Sequence, residues 1–375
     1  MIWTFLSSSI LIGAIMAALS PPAHAQVSDF AIEEATIADL EAAYAAGRTT
    51  ARAVTQAHLD RIAAYDKRGP LINSLITINP RALEDADQLD AALRASGRPV
   101  GLLHGIPVII KDNIDVAGLP MTSGFQGWKN YYPSEDAPLV KKIRAAGGII
   151  LAKSSLSEFA LGLGDNINSV VPGFARNPYN TAFATGGSSG GTGAALAASF
   201  GVVGIGTDTG GSVRAPSAHN ALVGLRPTVG LVSRTGMVPF DSVRDTAGAM
   251  ARSVADMAIL LDVIVGHDPE DSATTRAEGH RSTTYTKRGN GPAFLRHCRD
   301  RHDRVGRVSG KVERQRCPVH DYGFHLASGS AHPQRISGRQ QFDRRKINSL
   351  EQSRASWIGG FARTGSRGAG DPQRR

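Results

Sequence analysis

Residues 185–216 read TGGSSGGTGAALAASFGVVGIGTDTGGSVRAP and combine three kinds of local pattern. Two glycine-rich turns, 185–193 and 206–216, enclose a helix-prone stretch and the apolar run 201–206. Loops of this kind expose backbone N–H groups and let the chain approach a ligand closely. The order loop, helix, strand, loop, helix favours a layered α/β domain over an all-α or all-β one.

The same alternation extends on both sides of this stretch. The predicted elements include helices over 36–46, 135–146 and 253–265 and strands over 71–78 and 106–110. Ser134 and Ser253 are the predicted N-caps of the second and third of these helices. Asn79 and Pro80 predict the start of a further helix that ends near Gly97.

The composition is that of a globular protein. The chain has 375 residues, of which 41% are apolar and 20% charged, so a sizeable core can form. Two cysteines, Cys298 and Cys317, exclude a disulfide scaffold and a four-cysteine zinc site.

Charge divides the chain into two unlike parts. Residues 276–375 hold 22 basic and 8 acidic residues, whereas residues 1–275 hold 20 and 25. After about residue 275 neither a helical nor a strand period is found, which predicts a basic tail without order. Three interpretations compete: a disordered basic tail, a nucleic-acid-binding arm and a frameshifted translation. The abrupt break favours the frameshift, with residues 26–275 forming the main domain.

Residues 1–25, MIWTFLSSSILIGAIMAALSPPAHA, have the pattern of a secretory signal peptide. The apolar run is short for a membrane span, and Ala23-His24-Ala25 forms a small-x-small cleavage site before Gln26. We therefore expect an exported protein, periplasmic or secreted. An uncleaved membrane anchor is the alternative.

The segment 105–113, GIPVIIKDN, places Lys111 at the end of an apolar strand. Burial there would penalise the ammonium form and lower the pKa of the amine, so a neutral Lys111 could act as a base. From the residues alone an alternative stays open, in which Lys111 reaches solvent or pairs with Asp112 or Asp115.

Each glycine-rich loop carries a candidate serine, and neither has a nucleotide-binding pattern. No Gly-Lys-Ser/Thr follows the first loop and no G-x-G-x-x-G opens its helix. In the second, Ser212 follows two glycines, where several N–H groups converge as in an oxyanion hole. For the first loop the alternative is a plain linker. For the second it is a tight turn held by an Asp208–Arg214 ion pair, and such a turn could also form an oxyanion hole.

A serine nucleophile needs a general base. His58 falls in a predicted helix, and His219 and His267 follow in connecting segments. His104, just before the strand of Lys111, is the one acceptable histidine. The serine loops also lack an S-x-x-K motif, so Lys111 is the most economical base, with a second serine as relay.

The segments GIPVIIKDN, GGSSGGTGAALA and GTDTGGSVRAPS, in this order and spacing, resemble the amidase signature family. Ser188 and Ser212 lie 24 residues apart, as the family pattern requires. AKSSLSEFALG, NPYN, GLRPTVGLVSRTGMVPF and DTAGAMARSVADMAILLDVIVG extend the resemblance over residues 28–272. Ala249 stands where the family has proline, and the family domain continues where this chain has the basic segment.

The resemblance implies an α/β fold with a mixed central sheet covered by helices on both faces, truncated at the C-terminus. It implies a Ser–cisSer–Lys triad of Ser212 as nucleophile, Ser188 as relay after a cis peptide bond, and Lys111 as base. The implied oxyanion hole consists of the N–H groups of Thr209, Gly210, Gly211 and Ser212. Supporting roles fall to Asp208, Arg214 and Ser189.

The implied activity is hydrolysis of a carboxylic amide to an acid and ammonia or an amine, through an acyl-enzyme and without metal or cofactor. The implied partner is a small-molecule amide, with no specific nucleic acid and no membrane span after signal cleavage. The signal peptide argues against the family's amidotransferase role, which needs cytosolic partner subunits. Two alternatives remain: a truncated, inactive amidase-like product, and a nucleic-acid-binding protein acting through the basic tail, where no stacking module is recognisable.

Overall fold

The computed structural model describes residues 30–161, 171–277 and 325–328. In this part of the chain the α-helices are α1 (Ile37–Ala45), α2 (Ala51–Tyr65), α3 (Ala82–Ser96), α4 (Pro138–Ala145), α5 (Gly190–Ala197), α6 (Arg214–His219) and α7 (Val254–Ile264). The strands are β1 (Leu75–Ile78), β2 (Ile106–Lys111), β3 (Gly148–Ser154), β4 (Val203–Thr207), β5 (Val223–Arg226), β6 (Ala247–Ala251) and β7 (His325–Ser328).

One mixed sheet joins these strands in the order β1-β3-β2-β4-β6-β5-β7. Strand β2 lies at the centre and pairs in parallel with both β3 and β4. The outer pairs, β1 with β3, β4 with β6, and β5 with β6 and β7, are antiparallel. The parallel strands β2, β3 and β4 have no polar side chains except where each strand ends, as expected for strands covered on both faces.

Helices cover both faces of the sheet over two separate apolar clusters. One cluster joins the sheet to α1, α4 and α7, and includes Leu40, Leu139 and Leu260. The other joins the opposite face to α2, α3 and α5, and includes Ile62 and Leu196. The prediction of an α/β fold with a mixed central sheet between helical layers is confirmed.

Several predicted boundaries shift for local reasons. Ser253 caps α7 as predicted, since its side chain accepts the Asp256 N–H. Ser134 does not cap α4, which begins at Pro138, because a residue before proline is kept out of the helical region. The strand predicted over 71–78 begins at Leu75, because the backbone at Leu71 and Asn73 has positive φ.

The helix predicted from Asn79 and Pro80 also begins later, at Ala82, with Arg81 in the N-cap position. The Asn79 side chain instead accepts the Arg81 N–H and donates to the Ile150 carbonyl, tying the turn to β3. The helix ends at Gly97 as predicted, where the backbone is left-handed.

The predicted signal peptide lies outside the described residues, and so does most of the basic segment 276–375. Two short pieces of that segment are described: the end of a 3-10 helix (Ser272–Ala277) and β7, which pairs with β5. Apart from these two pieces the segment lies outside the described residues, so the tail without order stays a prediction. Among the described helices, none has the length and apolar character that crossing a membrane would require.

Candidate active site

Lys111 ends β2 inside the protein, with no solvent exposure. Its Nζ lies 2.7 Å from the Ser188 Oγ and 2.7 Å from the Thr207 Oγ1, and 3.5 Å from the Thr207 carbonyl oxygen. The Asn113 Nδ2 also donates to the Thr207 Oγ1, at 3.2 Å. The amine is thus held among neutral oxygens.

Burial lowers the pKa of Lys111 from its ordinary 10.5 to about 7, although the charges of Asp208 and Asp245 act in the opposite direction. The alternative in which Lys111 reaches solvent or pairs with a neighbouring aspartate is wrong. Asp112 pairs instead with Lys153 of β3, Nζ to Oδ1 at 3.0 Å, and both side chains are fully buried.

Ser188 and Ser189 lie directly before α5 and are both fully buried. The Gly187–Ser188 peptide bond is cis. The Ser189 hydroxyl donates to the Thr207 carbonyl at 3.1 Å and accepts the Thr207 N–H at 3.2 Å. The Ser189 N–H donates to the Ser212 carbonyl at 3.1 Å, so Ser189 connects both serine loops to the end of β4.

The loop after β4 is organised around Asp208. Its carboxylate accepts the N–H groups of Gly211 at 2.6 Å and Val213 at 3.0 Å. The Nε atoms of Arg214 and Arg226 each lie 3.2 Å from it. Burial opposes ionisation of Asp208, but the Arg214 guanidinium and the N–H groups of Gly211 and Val213 outweigh it and lower the pKa of Asp208. The Asp208–Arg214 pair is present, and Arg226 of β5 joins it.

The predicted oxyanion-hole amides differ in their partners. The Gly211 N–H is directed at Asp208 and is therefore already bonded. The N–H groups of Thr209, Gly210 and Ser212 have no acceptor among the described residues. The Ser212 side chain is half-buried, so a ligand can reach it. Three of the four predicted donors thus remain free to bind a ligand.

Reasoning from the sequence missed two residues around the lysine, Thr207 and Asn113. Both belong to the quoted motifs, 206–216 and 105–113, but their contact with each other depends on the pairing of β2 with β4. The rejected base His104 accepts the Val100 N–H through Nδ1 and packs edge-on against Tyr44.

None of the described side chains forms a group of three or more histidine, cysteine, aspartate and glutamate residues suited to holding a metal ion. The candidate site is instead an amine and hydroxyl groups beside free backbone N–H groups.

Comparison with known proteins places this chain in a family. The family model described as Amidase matches residues 53–293. A glutamyl-tRNA(Gln) amidotransferase subunit from Salinispora arenicola is 41% identical over 240 residues, which are 64% of this chain and 48% of that protein. The chain spans about half the length of the curated relatives it matches.

Solved structures of amidases are also similar to this chain. The native peptide amidase from Stenotrophomonas maltophilia is 44% identical, with a TM-score of 0.64 over 68% of this chain and 52% of that one. An amidase family protein from Bacillus anthracis is 36% identical, with a TM-score of 0.64 over 70% of this chain and 55% of that one. At these identities both fold and family are shared.

Proposed function

The chain belongs to the amidase family, and on that premise we propose that it hydrolyses a linear carboxylic amide to an acid and ammonia or an amine. Ser212 is the nucleophile, Ser188 the proton relay and Lys111 the base. The observation that carries the proposal is the 2.7 Å contact between the Lys111 Nζ and the Ser188 Oγ, in a place from which water is excluded.

The hydrogen-bond pattern around Lys111 can be satisfied by a neutral amine as well as by an ammonium, and burial, which lowers the pKa of Lys111 to about 7, favours the neutral form that accepts a proton. A neutral amine has two N–H donors and one lone pair. The carbonyl and hydroxyl oxygens of Thr207 take the two donors, and the hydroxyl oxygen also accepts from Asn113. The lone pair is then left for the Ser188 hydroxyl, which is the orientation that a base requires.

The proposed acylation uses both serines: Lys111 and Ser188 are already in contact, whereas Ser188 and Ser212 share no hydrogen bond in the described residues and must meet when the amide binds. Lys111 takes the Ser188 proton as Ser188 takes that of Ser212, whose oxygen forms a bond to the amide carbonyl carbon. The tetrahedral intermediate collapses when the proton returns through Ser188 to the leaving nitrogen and the carbon–nitrogen bond breaks. Water then attacks the acyl-enzyme through the same relay and releases the acid.

The negative charge on the carbonyl oxygen needs donors at the loop after β4. The free N–H groups of Thr209, Gly210 and Ser212 are suited to it, whereas the Gly211 N–H serves Asp208. Fixed backbone donors of this kind stabilise an oxyanion without reorganisation when it forms.

The substrate of this proposal is a small amide that reaches a half-buried serine. One solved relative is described as a peptide amidase and the curated ones as amidotransferase subunits. We further propose that the chain acts after export, with mature protein beginning at Gln26. N-terminal sequencing of secreted or periplasmic protein tests this, and a cytosolic chain that retains Met1 contradicts it.

The test of the activity uses the full chain and a serine-directed fluorophosphonate. We expect a single label on Ser212, together with release of ammonia from a panel of primary amides. Ser212→Ala removes both, whereas Ser134→Ala, an exposed serine, retains both. A label on another serine, or no turnover of any amide by the wild type, overturns the proposal.

A further inference from the structure

Strand pairing brings an aspartate to the loop that carries the free N–H groups. In the antiparallel ladder of β4 and β6, Thr207 pairs with Ala247. The Asp208 N–H donates to the Thr246 carbonyl at 2.8 Å, which continues the ladder. One residue further, Thr209 lies opposite Asp245.

The two side chains of that last pair are in contact. The Thr209 hydroxyl donates to the Asp245 Oδ1 at 2.5 Å. The Oδ2 accepts the N–H groups of Phe240 at 2.7 Å and Asp241 at 2.8 Å. Asp245 is buried, at 6% exposure. Hydrogen bonds to an ionised carboxylate are short and strong, so Asp245 fixes Thr209 to the turn at 240–245.

Asp245 differs from the other buried carboxylates near Lys111 in its lack of a contacting cation. Asp208 is paired with two arginines and Asp112 with a lysine. No ion pair joins Asp245 to any described lysine, arginine or histidine. Arg234 acts on it only from a distance, since that guanidinium is paired with another aspartate. The negative charge of Asp245 is therefore not neutralised by direct contact.

We propose that Asp245 is a positioning residue of the Ser212 site: its carboxylate holds Thr209, and so directs the amides that follow β4, and its negative charge, unpaired among the described residues, favours the ammonium that Lys111 becomes. This inference rests on the proposed function. Thr207 contacts the amine directly, and Thr209, two residues on, contacts Asp245. Asp245 is thus connected to the amine through the two-residue step from Thr209 to Thr207, and to the Ser212 loop through Thr209.

The first test measures Lys111 without requiring turnover. Full-length chain carrying 13C at the lysine Cε is titrated by NMR, with the Lys111 signal assigned by its loss in Lys111→Met. In Asp245→Asn, which keeps the shape and loses the charge, we expect the Lys111 midpoint to fall by several tenths of a pH unit. Asp241→Asn, in the same turn but without a contact to Thr209, leaves it unchanged.

The second test measures amide hydrolysis. Asp245→Asn and Thr209→Val are expected to lower kcat about 10-fold to 100-fold with little change in KM, because misdirected N–H groups affect the transition state more than the bound amide. Thr209→Ser, which restores the hydroxyl, is expected to recover most of kcat. If Asp245→Asn does not fold, Thr209→Val probes the same contact from the other side.

The outcomes separate this inference from the proposed function. An inactive wild type overturns the proposed function, and the Lys111 titration still decides whether Asp245 acts on the amine. An active wild type with an unshifted Lys111 midpoint in Asp245→Asn, or with unchanged kcat in Thr209→Val, overturns the inference alone. Loss of activity that Thr209→Ser does not restore also contradicts it.

Discussion

Replacing Lys111 with arginine tests whether the site depends on a neutral amine. Arginine keeps a long cationic side chain with several N–H donors, but it stays protonated at every pH at which proteins fold. It can therefore satisfy the oxygens of Thr207 but cannot take a proton from Ser188. If Lys111 served only as a structural cation, Lys111→Arg would keep most of the wild-type activity.

The expected magnitude follows from the burial of Lys111. Burial lowers its pKa from 10.5 to about 7, against the opposing charges of Asp208 and Asp245. At pH 7 about half of the molecules then hold the free amine, whereas at an ordinary lysine pKa about one in 3,000 would. Burial thus raises the concentration of the base about 10³-fold. Since arginine supplies no neutral form, Lys111→Arg should lower kcat/KM at pH 7 by at least about 10³-fold.

The assay is ammonia release from a primary amide between about pH 5.5 and 9.5, the range over which the amine titrates. The neutral form is the active one, so wild-type kcat/KM should rise with pH, reach half its maximum near pH 7 and then level off. Lys141→Arg, at an exposed lysine that pairs with Glu135, is the matched control and should behave as wild type. A rate that falls with pH, or Lys111→Arg with a tenth or more of wild-type activity, refutes the reasoning.

Three further predictions concern stability, measured by denaturant unfolding. Lys111→Met should have a higher free energy of unfolding than wild type below about pH 7. This difference should shrink as the pH rises from about 7 to about 10.5, because in that range the unfolded lysine still binds a proton that the buried amine has given up. A difference that does not change with pH contradicts this. Asp112→Asn leaves the buried Lys153 unpaired and should lower the free energy of unfolding by about 3 to 5 kcal/mol. Asp87→Asn, in an exposed ion pair, should lower it by at most about 1 kcal/mol. Equal losses in the two variants would show that burial does not determine the contribution of these ion pairs. Ser253→Ala removes the cap of α7 and should cost about 1 kcal/mol, and an unchanged midpoint would contradict a capping role.

Sequence reasoning worked best where the signal is local. The Ser253 cap and the Gly97 helix end depend on residues close to one another in the chain, whereas the residues alone leave the burial of Lys111 open. The predicted start of α4 is too early although Pro138 marks the true start, because Ser134 is also a good capping residue and competes with the restriction that proline imposes.

Contacts that depend on strand register could not be read from the sequence. The pairing of Asp112 with Lys153 requires β2 and β3 to lie side by side, and the contact of Thr209 with Asp245 requires the ladder of β4 and β6. The sequence positions of these pairs are 41 and 36 residues apart. Neither distance carries a local signal, so the pairs become visible only when the sheet order is known.

The register of β2 determines which face of the sheet the Lys111 amine reaches. Side chains alternate between the two faces of a strand: Val108 and Ile110 enter the apolar cluster under α4 and α7, whereas Ile109 enters the one under α5. Lys111 has the same parity as Ile109 and therefore points toward the start of α5, where Ser188 lies. A shift of one residue would turn the amine into the opposite apolar cluster and leave the serines without a base. The alternation that buries the isoleucines correctly is thus the condition under which this lysine can act on serine at all.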